Sequence, residues 1–480
     1  MAIKFELDKG RGQGIMTGDY FDSIREHFSA ANKGAQFARN RGRFVPPRTY
    51  AITPAGRFDV GLYKQIEQYI HDCEYATDIV ASSEFIEKVK PLLGVNKISK
   101  LALTLRDYQK DIVKECLSEG RGTVVLATAG GKTLTIATLL QTLYDNNKTI
   151  KVALIVPDLG LVEQTFADFE EYGVTFSYSK WTGKNKLRFE SNVIICNLGI
   201  LQSSTSDVTW LEHVDACVVD EVHKLRRGNK VNKLFKSMHT SHRFGFTGTM
   251  PEELIDQWNI SGKIGPIIYE RNGYELRQDK YIADVKVQIL KIDYSSKPDY
   301  PTKLKSPTQG YMAEVDFIIH NSFRNQVLTK LCNKFDKNGL ILVDYIEHGT
   351  ILHEYLTAGT DKKVYFIRGE VAVEDREKIK DLMEMDDNVI VVAISKIFST
   401  GISINNLHYI VFAGGGKAKI KTIQSIGRGL RLHKSKSKLI IFDIGDELVY
   451  GTKHLKQRIL HYQRENIEYG VQQIEQKNSI

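Results

Sequence analysis

From about residue 100 the chain alternates short, wholly apolar runs with longer mixed ones. "TVVLA", "KVALIVP", "VIICN" and "DACVVDE" are apolar without a polar alternate, as strands buried on both faces require. Between them Thr133–Tyr144 and Leu161–Tyr172 carry helical patterns, and the alternation predicts a doubly wound parallel sheet. A second set follows: "GLILVDY", "VYFIRG", "NVIVVAIS", "YIVFAG" and "KLIIFDIGD". Two α/β domains in series are therefore expected, with their boundary near residues 272–285. The first hundred residues differ, mixing short strands and a helix over Leu62–Cys73 with the turn-rich "GRGQG" and "VPPRTYAITPAGR". They read as a small α+β domain. "SSKPDYPTKLKSPTQGY" (Ser295–Tyr311) reads as a polar loop inserted early in the second α/β domain. The expected division is residues 1–97, 98–275 and 276–480, the last ending in a helical extension.

Composition narrows the class. A chain of 480 residues, 42% hydrophobic and 26% charged, has the make-up of a soluble globular protein. The five cysteines form no C-x-x-C pair, which argues against a disulfide framework or a zinc site and suits a reducing cytoplasm. No apolar run reaches the length of a membrane span, and "MAIKFELDKG" has no signal-peptide core. A cytoplasmic protein with no membrane partner is expected. The formal charge of +8 is mild, but its distribution is uneven. "ARNRGRFVPPR" gathers Arg39, Arg41, Arg43 and Arg48 around Phe44, and "GKAKIKTIQSIGRGLRLHKSKSK" contains Lys417, Lys419 and Lys421. Such stretches suit a nucleic-acid backbone; a solvated face or an acidic protein partner gives the same pattern. Lys303 and Lys305 of the insertion are further candidates for phosphate contact.

The chemistry begins in "VVLATAGGKTLTIATLL" (Val124–Leu140). A strand, a small-residue turn and Lys-Thr opening a helix are the parts of a phosphate-binding loop. Gly130 and Gly131 let the backbone N–H groups turn inward, Lys132 suits β/γ-phosphate oxygens, and the Thr133 hydroxyl suits magnesium. The pattern ordinarily starts with Gly where Leu126 stands, so a glycine-rich turn with a surface lysine is the plain alternative. "CVVDEVHK" follows a buried strand with Asp220, Glu221 and His223. Asp220 is placed to hold magnesium and Glu221 to orient or deprotonate a water; alone, an acidic turn opening a helix reads the same. "QSIGRGLR" sets Gln424, Arg428 and Arg431 together, the two arginines about one helical turn apart, so both could face one anion.

The ordered set "RDYQ", "ATAGGKT", "PDLGLVEQ", "DEVH", "FTGT", "FSTGIS" and "QSIGRGLR" resembles the motifs of superfamily-2 helicases and translocases, over roughly residues 100–435. The resemblance implies two tandem RecA-like parallel-sheet domains behind the small N-terminal α+β domain, with ATP and Mg2+ as cofactors. It implies that Gln109, with Arg106 beside it, reads adenine. Thr128, Gly130, Gly131, Lys132, Thr133 and Gly401 would hold nucleotide, and Lys132, Asp220, Glu221, Gln424, Arg428 and Arg431 would carry hydrolysis. His223, Thr247 and Thr249 would couple hydrolysis to a grip on nucleic acid that includes Thr400. Leu126 and Ala129 depart from the loop pattern but leave Lys132 and Thr133 in place. Residues 398–438 and the leading domain are similar to those of the phage UvsW-type helicases, which act on branched DNA. That implies a motor for branch migration, fork regression and unwinding in phage recombination, replication or repair. Forked or four-way DNA, read by backbone and shape, would be its partner, with recombination or single-strand-binding proteins beside it. Two other readings stand: an RNA or RNA–DNA hybrid helicase using the same motor, and an ATP-gated protein that holds junctions without stepping.

Overall fold

Runs buried on both faces leave a strand no solvent side, so each must lie between two layers of helices. The computed structural model bears this out twice, and the α/β class with it. It describes all residues except 1, 33–34, 36–38, 41, 43, 96, 226–227, 229, 296–306, 369–380, 396–405, 415, 417–437 and 477–480. The chain divides into two units, residues 1–126 with 131–271, and residues 127–130 with 272–480.

The first unit holds a seven-stranded sheet in the order Ile267–Arg271, Gly122–Leu126, His242–Thr247, Ala216–Asp220, Val152–Val156, Val193–Asn197, Tyr178–Trp181. Every neighbouring pair is parallel. Gly122–Leu126 and Val152–Val156 are buried at all their positions. The second unit repeats the design in the order Lys363–Ile367, Val389–Ile394, Gly339–Val343, Tyr409–Phe412, Lys438–Asp446, Asp284–Asp293, Glu468–Glu475, again wholly parallel. Two fully buried ion pairs stiffen it: Arg324 Nε to Asp446 at 2.7 Å and Arg458 Nε to Asp443 at 2.8 Å. The expected loop over Ser295–Tyr311 needs correcting at its end. Pro307–His320 is helical, with a proline at the first position, where its missing N–H costs nothing. The Glu314 carboxylate of that helix accepts the backbone N–H groups of Tyr450 and Gly451, capping the helix Val449–Arg464.

The N-terminal region is a four-stranded mixed sheet, Arg57–Phe58, Gln13–Gly18, Ala2–Asp8, Asp78–Ala81, with the helices Tyr63–Asp72 and Ser83–Val89 against it. Its core is aromatic: Phe5 meets Phe58, Tyr63 and Phe85 with ring centroids 4.9–6.0 Å apart. This region packs on the first parallel sheet through a seam that the sequence did not announce. Trp258, from the helix Leu254–Lys263, lies against Phe28, with centroids 5.5 Å apart. Lys263 reaches Asp59 at 2.6 Å with its own side chain 6% exposed. Arg121 is buried and donates to the carbonyls of Ile264, Lys263 and Lys88. Gly61 runs so close to Ser261 that any Cβ there would collide with its carbonyl oxygen.

Burial works to raise the pKa of Asp59, but Lys263 outweighs it and holds the carboxyl below the ordinary aspartate range. The stabilisation is therefore present above that range and is lost as pH falls through it. Asp59→Asn leaves Lys263 buried and unpaired, and should cost about 2–3 kcal/mol, below a fully buried pair because Asp59 is partly exposed. Urea unfolding checks this: the midpoint should drop at neutral pH, and the gap from wild type should shrink in acid.

Candidate functional site

The C-terminal ends of Gly122–Leu126, Ala216–Asp220 and His242–Thr247 lie on one edge of the first sheet, because the strands are parallel. Each then turns sharply. After Leu126 the chain passes through Ala129, at φ 66°, and Gly131, at φ 79°, before the helix Lys132–Asn146 begins. Gly131 needs its lack of a side chain twice over. Its backbone is left-handed, and a Cβ would collide with Gln109 Nε2. That amide donates to the Gly131 carbonyl at 3.3 Å, while Gln109 Oε1 accepts the Arg106 N–H at 2.9 Å, capping the helix Asp107–Glu119. Gln109 is thus buried and fastened to the turn, and the Arg106 guanidinium donates to the Tyr108 hydroxyl at 3.1 Å.

Glu221 follows its strand at φ 49° and ψ 49°, a left-handed conformation that costs on the order of 1 kcal/mol for a non-glycine residue. The Asp220 carboxylate accepts the Glu221 N–H at 2.9 Å, and the short turn Val222–Lys224 fixes the far side. The strained backbone sets Glu221 Oε1 3.8 Å from Lys132 Nζ and Oε2 3.2 Å from His223 Nδ1. Lys132 is 10% exposed and also donates to the Leu126 carbonyl at 3.4 Å. Burial acts to raise the Glu221 pKa; Lys132 and then His223 overcome it and hold the carboxyl down at about 2.

Thr247 continues the chain of contacts. Its hydroxyl donates to the Thr249 carbonyl at 2.9 Å and lies 2.9 Å from His223 Nδ1. With that proton committed to Thr249, the hydroxyl presents only a lone pair to His223. Glu221 presents another acceptor, so the proton of His223 sits on Nδ1, shared between the two. Lys132, Glu221, His223, Thr247 and Thr249 form one connected polar run, with Gln109 at the glycine turn.

Magnesium takes oxygen donors, and the Thr133 hydroxyl and Asp220 carboxylate at these two turns are of that kind. Among the described residues no group of three or more His, Cys, Asp or Glu side chains could hold a metal ion. Two protein oxygens suit magnesium, an ion bound chiefly through phosphate and water. Thr128 and Gly130 lie in the run 127–130, where the Gly130 N–H donates to the Ala127 carbonyl at 3.0 Å.

The basic candidates separate. Arg39 is exposed, and Phe44 is 85% exposed. Arg48 is engaged within the domain, with Nε 2.9 Å from both Glu26 and the Ser29 hydroxyl. Arg41, Arg43, Lys303, Lys305, Thr400, Gly401, Lys417, Lys419, Lys421, Gln424, Arg428 and Arg431 lie outside the described residues. Sequence reasoning missed Arg324. It is fully buried, and besides Asp446 it donates to the Ala413 carbonyl at 2.6 Å, fixing the end of the strand Tyr409–Phe412. A lone arginine in a helical pattern carries no signal of such a role. All five cysteines are free thiols, and no helix among the described residues is long and apolar enough to cross a membrane.

Two parallel-sheet units in series, the first with a glycine turn, a buried lysine and an acidic pair along one edge, define a nucleotide-driven motor of the helicase class. Comparison with known proteins agrees. The type III restriction enzyme res subunit family matches residues 102–252, and the helicase conserved C-terminal domain matches residues 324–433. The ATP-dependent DNA helicase uvsW of Enterobacteria phage T4 is 30% identical over 389 residues, 75% of this chain and 76% of that protein. A putative ATP-dependent helicase of Saccharomyces cerevisiae, IRC3, is 25% identical over 71% of this chain, which spans 51% of its length. The crystal structure of T4 UvsW aligns over 99% of this chain and 100% of that one, at 25% identity and a TM-score of 0.46. The chain belongs to the superfamily-2 helicases of the UvsW type, ATP-dependent DNA helicases.

The glycine turn yields a paired expectation. Gly131→Ala should cost roughly 1 kcal/mol in the left-handed backbone and push Gln109 off the turn, weakening nucleotide affinity at least tenfold. Ala129→Gly relieves strain at a neighbouring left-handed position and should leave affinity intact. Titration with a fluorescent ATP analogue checks both.

Proposed function

We propose that this helicase uses ATP hydrolysis to remodel branched DNA, migrating four-way junctions and regressing or unwinding forks in phage recombination, replication or repair. The observation that carries the reading is the run from Lys132 through Glu221 and His223 to Thr247 and Thr249. It joins the residues placed at phosphate to a loop leading away from them. The segments 1–97, 98–275 and 276–480 are taken as a DNA-binding leading domain, the first motor domain and the second.

In this scheme Gln109 selects adenine, with Arg106, Thr128, Gly130 and Gly131 shaping the loop. Lys132 meets the β- and γ-phosphates. Thr133 and Asp220 would hold magnesium, which when bound would supply neutralising charge to the phosphoryl oxygens. Glu221 orients the attacking water. At a pKa of about 2 it is a poor proton acceptor, and Lys132 is the chief charge keeping it so. A lysine turned to phosphate is no longer free to pair with Glu221, so the carboxylate gains basicity when substrate is in place. His223 feels that change directly, through the Nδ1 proton it shares between Glu221 and Thr247, and passes it to Thr249. Arg428 and Arg431, with Gln424 and Gly401, complete the charge around the γ-phosphate from the second domain.

DNA is held by its phosphates, without sequence readout. Arg39, Arg41, Arg43 and Arg48, Lys303 and Lys305, and Thr400, Lys417, Lys419 and Lys421 are the proposed contacts, with Phe44 exposed to stack on an unpaired base. Deleting residues 1–97 would strip Asp59 from Lys263, so point variants test this domain more cleanly than truncation.

Lys132→Ala should abolish ATP hydrolysis. Glu221→Gln should bind ATP and lose turnover by on the order of 10²–10⁴-fold. Thr247→Val should keep nucleotide affinity and lose stimulation by DNA. Rates on matched fork, four-way, overhang and RNA–DNA substrates decide the substrate. The reading expects four-way and forked DNA to be processed fastest, and equal rates on a simple overhang would defeat it.

A further inference from the structure

A cavity of about 560 Å³ opens on the seam between the N-terminal domain and the first motor domain. The turn joining Ala2–Asp8 to Gln13–Gly18 forms one wall, the helix Ser83–Val89 a second, and the segment 236–241 a third. That last segment leads into the N-terminal end of the strand His242–Thr247. The cavity therefore lies at the opposite edge of the sheet from the nucleotide residues, and nothing in the motor's chemistry uses it.

Its lining has four cations, Lys9, Arg11, Lys88 and Lys236, against three carboxylates, Glu84, Glu87 and Glu212. Lys9 and Glu84 pair at 2.7 Å. Arg11 and Lys236 are exposed and make no ion pair among the described residues. Behind the wall the balance is more one-sided. Among the described residues the buried Arg121 and Arg243 donate only to backbone carbonyls, Arg243 to those of Thr240, Lys263, Phe235 and Met238. Lys263 is buried too, with Asp59 as its single carboxylate partner. Through the carbonyls of Lys88 and Met238, both lining residues, Arg121 and Arg243 stand directly behind the cavity wall. Lys88, whose Nζ donates to the His239 carbonyl at 2.7 Å, is pushed down to about 8 by burial and by the charges of Arg243 and Arg121. The turn itself is closed by the Arg11 and Gly12 N–H groups, which donate to the Asp8 carbonyl at 3.1 and 2.8 Å, so an anion there would be met by side chains.

We propose that this cavity is a phosphate oxyanion site, lined by Arg11, Lys236 and Lys9, and that a backbone phosphate of a duplex DNA arm occupies it. The DNA occupant rests on the function proposed above; the oxyanion chemistry does not. A phosphate here would gain the field of the buried cations, which no carboxylate neutralises fully, and would ground the N-terminal domain and the motor on one DNA arm.

The experiment uses the full chain with Arg11→Glu and Lys236→Glu combined. A control of equal charge change, Lys148→Glu with Lys334→Glu, lies at exposed positions that do not line the cavity. DNA-free ATP hydrolysis should match wild type in both. Affinity for a four-way junction is measured across a salt series, and inorganic phosphate binding by calorimetry. The site predicts at least tenfold weaker junction binding in the seam variant than in the control. It also predicts a slope of log affinity on log salt shallower by about 1–2, at roughly 0.9 per phosphate contact. Loss of inorganic phosphate binding with unchanged junction affinity supports the oxyanion site and overturns DNA as its occupant. Junction and phosphate binding both equal to the control's overturn the proposal. Absence of junction binding by wild type overturns the DNA occupant together with the branched-DNA reading, and the phosphate arm then tests the site alone.

Discussion

A parallel sheet carries the C-terminal ends of all its strands to one edge, and this constraint does most of the positioning in the first unit. Leu126, Asp220 and Thr247 are far apart in sequence yet end three strands that lie side by side, with His242–Thr247 between the other two. An antiparallel arrangement would send alternate ends to opposite edges. Two of the three strands end in turns of unusual backbone: left-handed at Ala129 and Gly131 after the first, left-handed at Glu221 after the second. The strain is tolerable because the strands behind it are buried on both faces and cannot yield.

The electrostatics follow from that edge. Lys132 and Glu221 meet at 3.8 Å in a partly buried place, where each charge answers the other. The arrangement is stable but provisional, since a lysine can satisfy a phosphate or a carboxylate with comparable ease. Glu221 is also tied to His223, and His223 to Thr247, so the lysine's charge is set at the head of a connected run. Hydrogen bonds linked in series polarise one another, which makes such a run a better conductor of a local change than separate contacts would be.

Much of this was legible in the sequence, and the reasons are specific. The central strands announced themselves because burial on both faces forbids polar residues. The edge strand Glu468–Glu475 did not, since it is largely solvated and its letters, "EYGVQQIE", look like loop or helix. Ile267–Arg271 hid for the same reason. Lys132, Asp220 and Glu221 stood out as candidates because the glycine turn and the acidic pair occur together, each at the end of an apolar strand of one sheet. The Nδ1 proton of His223 was not, because it depends on which way the Thr247 hydroxyl points, and that is set by a carbonyl two residues on. Arg324 and Arg121 were invisible for a different reason. A buried arginine is recognised by its partners, and those partners are backbone carbonyls and a carboxylate more than a hundred residues away.

The seam alters what the leading domain can be. Read from the sequence, residues 1–97 form a small α+β domain; in the structure they share with the first motor domain the Asp59–Lys263 ion pair, a tryptophan contact and the Arg121 bond to the Lys88 carbonyl. Separating them would expose Trp258, take the Lys88 carbonyl from Arg121 and leave Lys263 without Asp59, at several kcal/mol for the stranded lysine charge. A domain held this way cannot swing independently while the motor steps. The leading domain and the first motor domain therefore move as one body.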